Sequence, residues 1–505
     1  MGSLPSFAVI ADPHVYRVPG IQDQHLRMAL TAAETAGAAF VVLAGDIVED
    51  GHRLCYENAR RVLQESRLPL FPNIGNKEVS QNSTHRYRRY FGDLYYTVEH
   101  SGYRLIVLGL HNFTLPPHRM RWLRRVLQDT APHDHTIIVA HHYLQYFTDR
   151  SRNEFIGLCE QHGVRHFITA HAHRPKVTRY GGLTEYLLQA VDPDKALESL
   201  PGFTMCRLDG ENLQMEFVPV TIPAAAVQKH FVDQLGLAPA ADWGPVQTVA
   251  DLAARYKLTS YQLRIGGPQT YPVLAEEAEA ARNCGLQLVG HLPGPQFDES
   301  GRFLNGPEMR SAVDFCVEQT SPLLVLHPPK LPADVLCDHY GRLNRNALAV
   351  ARVIETYAKM VGRMESLGMT VALENNSSKK PRTTFGGLPT HLADLAGPLR
   401  ERGLDPGYCF DIGHARASIA QAQISEWMAA LGDRLLALHI HQGDPHTHTT
   451  HEAIHDLFSW TRWYGLGAWL AYKNVTVPCL LEMDSAKAAV ASVEALKSLV
   501  DEVAT

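Results

Sequence analysis

The chain has no cysteine framework: its eight cysteines (55, 159, 206, 284, 316, 337, 409 and 479) are scattered over 505 residues without a single CxxC pair. Such spacing excludes a disulfide scaffold or a zinc ribbon and fits reduced thiols in a cytoplasm. Long Lys/Arg blocks are missing too. The 47 basic and 53 acidic residues are well mixed and leave a net charge of −6, so no continuous basic track for a nucleic-acid backbone is expected. No apolar stretch is long enough to span a bilayer, and the opening MGSLPSF lacks the basic and apolar regions of a secretion signal. These absences point to a soluble cytoplasmic protein with no membrane partner, argue against a nucleic-acid partner, and leave a homo-oligomer open. With 45% hydrophobic and 20% charged residues the composition is globular, and the length exceeds one core, so two domains are expected.

What the chain does have is polar residues standing one at a time at the ends of short apolar runs. TVALENN ends in Glu374, YCFDIGH in Asp411 and His414, LLALHIHQGDPH in His439, His441, Asp444 and His446, and VPCLLEMD in Glu482. A parallel strand covered on both faces reads as a continuous apolar run, and each run delivers its carboxylate or imidazole where the strand stops. In a (β/α)8 barrel such strand ends converge at one mouth. The pattern predicts a metal cup in which carboxylates, Asp and His hold a hard or borderline divalent cation while a glutamate moves a proton. Eight strands are expected, beginning near His230, Tyr261, Leu286, Leu323, Thr370, Tyr408, Leu435 and Val477, with amphipathic helices between them and a last outer helix over DSAKAAVASVEALKSLVDEV.

The first half places ligand types at strand ends in another order. FAVIADPHV ends in Asp12-x-His14, FVVLAGDIVEDG in Gly45-Asp46, LPLFPNIGNKE in Gly75-Asn76, HTIIVAHHY in His141 and His142, and HFITAHAH in His171-x-His173. GFTMCRLDGENLQMEFVPV reads as a closing hairpin that turns at Asp209-Gly210, followed by a Pro/Ala linker. The boundaries are a first domain over 1–222, a linker over 223–228 and a barrel over 229–505. The basic segments around Arg86, Arg88 and Arg89 and around Arg119, Arg121, Arg124 and Arg125 read either as solvated helix faces or as a wall for an anionic substrate.

The ordered series DxH, GD, GN, H, HxH resembles the calcineurin-like metallophosphoesterases over residues 1–222. The resemblance implies two mixed sheets flanked by helices and two divalent metals (Mn, Fe or Zn). Asp12, His14 and His173 would hold the first and Asn76, His141 and His171 the second, with Asp46 bridging. Lys77 stands where the family has a catalytic His, and lysine is a point charge with a high unperturbed pKa. The catalytic role then falls to Lys77 or to another imidazole such as His142 or His85. Ala170 replaces a usual Gly, which should only tighten the turn.

With HLP at His291, LHPP at His327, LENN at Glu374, FDIGH at Asp411 and His414, LHIH at His439 and LEMD at Glu482, residues 229–505 resemble the xylose-isomerase-like superfamily. That superfamily includes sugar and sugar-phosphate isomerases and epimerases, and also the endonuclease IV type of abasic-site nuclease. The epimerase members imply four ligands, Glu374, Asp411, His439 and Glu482, with the two glutamates also carrying protons and His414 binding a substrate oxygen. The nuclease members imply His291, His327, Asp444 and His446 as further ligands, so the barrel would hold one to three metals (Mn or Zn). Gln262 stands where many isomerases carry Glu. Lys379, Lys380 and Arg382, in the segment after Glu374, are either holders of a substrate phosphate or part of an exposed loop.

Three functions are consistent with this reading. The first is a bifunctional enzyme that hydrolyses a phosphoester and isomerises or epimerises a sugar phosphate, acting on a small sugar-phosphate or nucleotide-like ester. The alternative is a double hydrolase whose barrel is an endonuclease IV-like zinc phosphoesterase. In the third, one domain has lost catalysis. Lys77 makes the first domain the suspect, although all seven of its ligand positions are filled.

Overall fold

The structure, a computed structural model, describes all residues except 1–3, 110–114, 129–134, 241–242, 244–245, 332, 339–340, 378–384, 419–422, 445, 459–460 and 505. It divides into two compact units, Met1–Thr221 and Ile222–Thr505.

The first unit contains β1 (Phe7–Ile10), β2 (Val41–Leu43), β3 (Leu70–Pro72), β4 (Tyr96–His100), β5 (Tyr103–Leu108), β6 (Thr136–Ala140), β7 (His166–Thr169), β8 (Lys176–Tyr180), β9 (Leu183–Leu187), β10 (Gly202–Asp209) and β11 (Asn212–Pro219). They form two mixed sheets, of order β11-β10-β1-β2-β3 and β4-β5-β6-β7-β9-β8. The hairpin expected at Asp209-Gly210 joins β10 to β11. Successive side chains of a strand point to opposite faces, and β1 buries both of its faces. Phe7 and Val9 meet Tyr103, Leu105, Ile137 and Val139 of the other sheet, while Ala8 and Ile10 meet Leu26, Ala29 and Ala33 of the helix Ile21–Thr35. Both faces being covered is why FAVI reads as an unbroken apolar run.

The second unit is a closed parallel barrel of β12 (Leu235–Pro239), β13 (Ser260–Arg264), β14 (Gln287–His291), β15 (Leu323–Leu326), β16 (Thr370–Glu374), β17 (Gly407–Asp411), β18 (Leu435–Ile440) and β19 (Cys479–Met483). The expected α/β architecture, two mixed sheets with helices followed by a (β/α)8 barrel, is what the chain adopts. Inside the barrel lies an apolar layer of Ala238, Val289, Val325, Ala372, Cys409, Ala437 and Leu480. Period-two alternation carries the next inward-facing position on each strand two residues onward. From six of these residues that step gives His291, His327, Glu374, Asp411, His439 and Glu482, so one layer of packing sets the height of the whole cup.

One element departs from expectation. The first barrel strand does not begin near His230, because Ala224–His230 is a helix started by Pro223, and the strand begins at Leu235. Three consecutive alanines have high helix propensity, and Val227 and Phe231 pack against Gly467 of the helix Trp463–Lys473. The segment 223–228 is therefore mostly helical rather than an extended linker. No helix among the described residues is long and apolar enough to cross a membrane.

Ala372 lies one layer beneath Glu374 and is fully buried. Ala372→Leu overpacks that layer and is expected to cost about 1–3 kcal/mol. Urea unfolding followed by tryptophan fluorescence, which comes mainly from Trp243, Trp427, Trp460, Trp463 and Trp469 of the barrel, should show an earlier transition. An unchanged midpoint would mean the layer is not close-packed.

Candidate metal centres

In the first unit the ligand types lie just past the C-terminal ends of β1, β2, β3, β6 and β7, and they converge. Asp46 is central: its Oδ2 lies 3.2 Å from His141 Nε2 and 3.9 Å from His14 Nε2. Asn76 Oδ1 and His171 Nδ1 approach His141 Nε2 at 3.1 and 3.2 Å. His14 Nε2 and His173 Nε2 are 3.3 Å apart. Asp12 Oδ1 is buried without a hydrogen-bond partner among the described residues, and it faces three imidazole nitrogens, of His173 at 3.6 Å and of His14 and His141 at 3.8 Å. A buried carboxylate oxygen turned only towards imidazoles is the surrounding that a cation satisfies.

The local backbone holds these groups at some cost. Asp12, His14, Asp46, His171 and His173 all have positive φ, between 44° and 78°, a region in which non-glycine residues are strained and which clusters at functional sites. Gly45, at φ 87°, allows the close approach of the sheets, because a Cβ there would stand 2.5 Å from His141 Nδ1.

Second partners orient the imidazoles. His141 Nδ1 lies 3.0 Å from the Ala44 carbonyl oxygen and donates to it, which turns Nε2 inward. His14 Nδ1 lies 2.9 Å from Glu49 Oε2 and 3.0 Å from the buried Lys195 ammonium. Glu49 also pairs with Lys195 and, at 2.8 Å, with Lys77. Lys77 thus leans on Glu49, while its backbone N–H donates to Asp46 Oδ1 at 2.9 Å. Burial pushes the His14 imidazole down to about 4, and Lys195 adds to this. Burial opposes charge on His141 as well, but Asp46 outweighs it and holds that imidazole up at about 9. His142 is buried against His171, with ring centroids 4.6 Å apart, and burial lowers it to about 2. His85 is exposed, its Nδ1 3.2 Å from the Asn82 carbonyl oxygen. Glu49 and Lys195 were not singled out from sequence; Glu49 follows Asp46 by three residues, but Lys195 has no local signal.

The two basic segments are mainly solvated faces. Arg88, Arg89, Arg121, Arg124 and Arg125 are exposed, whereas Arg119 is buried with its guanidinium on the Gly109 carbonyl and 5.3 Å over the Tyr95 ring.

In the barrel, Glu374, Asp411, His439 and Glu482 are buried with ligand atoms close enough to share one ion. His439 Nδ1 lies 2.8 Å from Glu374 Oε1, 3.1 Å from Glu482 Oε2 and 3.7 Å from Asp411 Oδ2. Its Nε2 lies 2.8 Å from Gln262 Oε1 and donates to that amide oxygen, which leaves Nδ1 for the cup. The other oxygen of Glu374 faces a different pair: Oε2 is 3.0 Å from His291 Nε2 and 3.3 Å from His327 Nδ1. His327 Nδ1 is buried without a hydrogen-bond partner among the described residues, and burial lowers this imidazole to about 4. Burial would raise the carboxyls of Glu374 and Glu482, yet His327 and His439 for the first, and His439 for the second, hold both well below the usual range.

The outer rim differs from the sequence expectation. Asp444 Oδ1 accepts the backbone N–H groups of His446 and Thr447, capping its own turn, and His446 is exposed. The loop returns through a Gln442–Glu452 bridge and instead brings His451 Nε2 to 3.6 Å from Glu482 Oε1, while His441 Nε2 lies 3.0 Å from Asp411 Oδ1. His414, His441 and His451 cluster there. His441 Nδ1 accepts the His451 backbone N–H at 2.8 Å, so its Nε2 carries the proton and donates to Asp411; His441 positions that carboxylate. His414 Nδ1 is 3.0 Å from Asp411 Oδ2. Lys379, Lys380 and Arg382 lie outside the described residues.

Residues 5–175, a span that includes all seven ligand residues of the first unit, match the sequence model of the calcineurin-like phosphoesterase family. Solved structures with similarity include a D-tagatose 3-epimerase-like protein (17% identity, TM-score 0.41, covering 54% of this chain and 98% of that one). Others are a dimetal phosphatase from Danio rerio (15%, 0.34, 43% and 96%) and 3-keto-D-glucoside 4-epimerase from E. coli (13%, 0.39, 53% and 98%). No curated protein matches the chain in sequence. At such identities and scores the similarity assigns no chemistry to either unit.

If Glu49 and Gln262 set the ring tautomers, Glu49→Leu should weaken divalent-cation binding in the first unit by roughly 10–100-fold and Gln262→Leu should do the same in the barrel. Competition with a chelating dye measures both, and unchanged Kd values would show that the imidazoles are oriented by other contacts.

Proposed function

We propose that the chain is a metal-dependent enzyme with two separate sites, a phosphoesterase in the first domain and a second metal-dependent phosphoester hydrolase in the barrel. The family match of residues 5–175 and the convergence of seven ligand residues from five strand ends support the first site. The His-rich donor sets suit Mn, Fe or Zn in the first domain and Mn or Zn in the barrel. Divalent cations bound there would supply Lewis acidity towards a phosphoryl oxygen and lower the pKa of water. Asp12, His14 and His173 would hold one cation and Asn76, His141 and His171 the other, with Asp46 turned to both sets. Lys77 and Lys195 keep Glu49 ionised and in place on His14.

For the barrel, the observation that carries the reading is the division of Glu374. One oxygen faces His439 and the other faces His291 and His327, so the carboxylate is shared between two ligand groups, as Asp46 is in the first domain. A glutamate engaged on both oxygens has neither of them free to take a proton from carbon. The isomerase or epimerase reading has its own support in the compact group Glu374, Asp411, His439 and Glu482, which alone suits one cation and two glutamates on opposite sides of a sugar. In either case the substrate is a small phosphorylated molecule; the net charge of −6 and the exposed, dispersed arginines offer a nucleic acid no continuous track.

Asp46→Asn is expected to reduce first-domain hydrolysis of an aryl phosphoester by at least about 10²-fold, since it removes the shared charge. The activity that remains should be lost on adding Glu374→Gln. Wild-type turnover in Asp46→Asn with its metals bound would overturn the first assignment. For the barrel, incubating Asp46→Asn with sugar phosphates in deuterated water decides the reading: deuterium on a substrate carbon, abolished by Glu374→Gln, would replace the hydrolase with an isomerase or epimerase.

A further inference from the structure

A short turn late in the first domain, residues 191–197 (VDPDKAL), is buried over most of its length and is hydrogen-bonded to the stretches that carry Asp12, His14 and His173. At its start the Val191 N–H donates to the Ala11 carbonyl at 2.9 Å, one residue before Asp12, and at its end the Leu197 N–H donates to the His173 carbonyl, also at 2.9 Å. Between them the Lys195 ammonium lies 3.0 Å from His14 Nδ1 and pairs with Glu49, whose Oε2 is 2.9 Å from the same ring nitrogen. One turn therefore supports all three ligands assigned to a single cation. The other set is fastened elsewhere: His141 Nδ1 donates to the Ala44 carbonyl, and the Ala170 N–H, next to His171, donates to the His141 carbonyl at 2.9 Å. Asp12 Oδ2 accepts the His171 N–H at 3.1 Å and so is tied to both sets, which leaves His14 and His173 as the points where the turn acts on one set.

The turn is built to keep its position. Asp192 Oδ1 accepts the Asp194 N–H at 3.0 Å, and the Asp192 carbonyl accepts those of Lys195 and Ala196 at 3.1 and 2.9 Å. Pro193 fixes one backbone angle between them. From the helix Ile21–Thr35, Gln22 Nε2 reaches both carboxyl groups, Asp192 Oδ1 at 3.1 Å and Asp194 Oδ2 at 3.3 Å. From the other side Gln189 Nε2 donates to the Leu197 carbonyl at 2.9 Å. Two carboxyl groups, an ammonium and an amide, all buried, are an expensive way to close a loop, since polar groups taken out of water must each find a partner. What the arrangement secures is a fixed height for Lys195, and through it for Glu49 on His14. We infer that residues 191–197 are a brace for one cation of the pair, the one on Asp12, His14 and His173, and that Lys195, Asp192 and Gln22 are positioning residues that set how tightly this cation is held while leaving its neighbour unaffected. The inference rests on the two-cation reading of the first domain.

Manganese titration of the full chain carrying Glu374→Ala and Glu482→Ala, which strip ligands from the barrel, isolates the first domain. Electron paramagnetic resonance counts the free manganese and reports the exchange-coupled pair. Two cations should bind to this parent. Adding Lys195→Met should weaken one of them by roughly 10–100-fold, leave the other unchanged, and replace the coupled signal with that of a single ion at low manganese. Asp192→Ala should weaken the same cation, whereas Asp192→Asn, whose amide oxygen keeps the hydrogen bonds of the turn, should retain it. Burial, with Asp194 alongside, pushes the Asp192 carboxyl well up, so a neutral amide is a close substitute. This second pair of variants decides the matter even if Lys195→Met does not fold. His173→Ala identifies the cation: combined with Lys195→Met it should cause no further loss, because both changes act on one ion. Equal weakening of both cations, parental affinities in Asp192→Ala, or additive losses with His173→Ala would overturn the brace and leave the two-cation site standing. A parent that binds a single first-domain cation would overturn both.

Discussion

Glu374, Asp411 and Glu482 carry their carboxylates inside a barrel that offers them imidazoles as ion-pair partners, and this burial of negative charge is what the surrounding structure has to accommodate. Desolvating an ionised carboxylate is costly unless it is paired and hydrogen-bonded. The barrel meets the demand by aiming ring nitrogens at the carboxylates from neighbouring strands. It fixes those rings from behind through Gln262 on His439 and the His451 backbone on His441. A divalent cation would complete the balance, which is why the buried atoms without a hydrogen-bond partner among the described residues, His327 Nδ1 and Glu482 Oε2 here and Asp12 Oδ1 in the first domain, are informative.

The first domain meets the same demand with different means. Five of its seven ligand residues are held on strained, left-handed backbone, and Lys77 and Lys195 are both paired with Glu49, Lys195 also reaching His14 Nδ1. Strain of this kind persists only where the surrounding packing over-determines it. The packing between the two sheets, with Phe7, Val9, Phe40 and Val42 against Leu105, Ile137 and Val139, supplies that constraint. Lys77 is tied to Glu49 through its ammonium and to Asp46 through its backbone N–H.

Most of the architecture was legible because it depends on local pattern. A strand buried on both faces must be apolar throughout, and a ligand must stand where it ends, so the runs before Asp12, Asp46, Glu374, Asp411, His439 and Glu482 disclosed both strand and ligand type. The first barrel strand was misplaced because KHFVDQL has the apolar spacing of a short strand, whereas the alanines before it and the groove over Gly467 favour a helix. Asp444 and His446 have the spacing of a ligand pair, yet in the folded loop Asp444 is used as a turn cap and His446 is exposed.

The sequence by itself determined the strand ends, the kinds of donor they bear and their order, since these follow from the two-residue period of a strand and from which side chains can bind a cation. The tertiary structure alone decided which distant side chains orient them. Lys195 reaches His14 across 181 residues and Gln262 reaches His439 across 177. It also decided that Glu374 faces two groups at once, and that His451 rather than His446 closes the rim. Each of these depends on the path by which a loop or neighbouring strand returns, which is set by packing between segments far apart in sequence and so leaves no periodic trace in the chain.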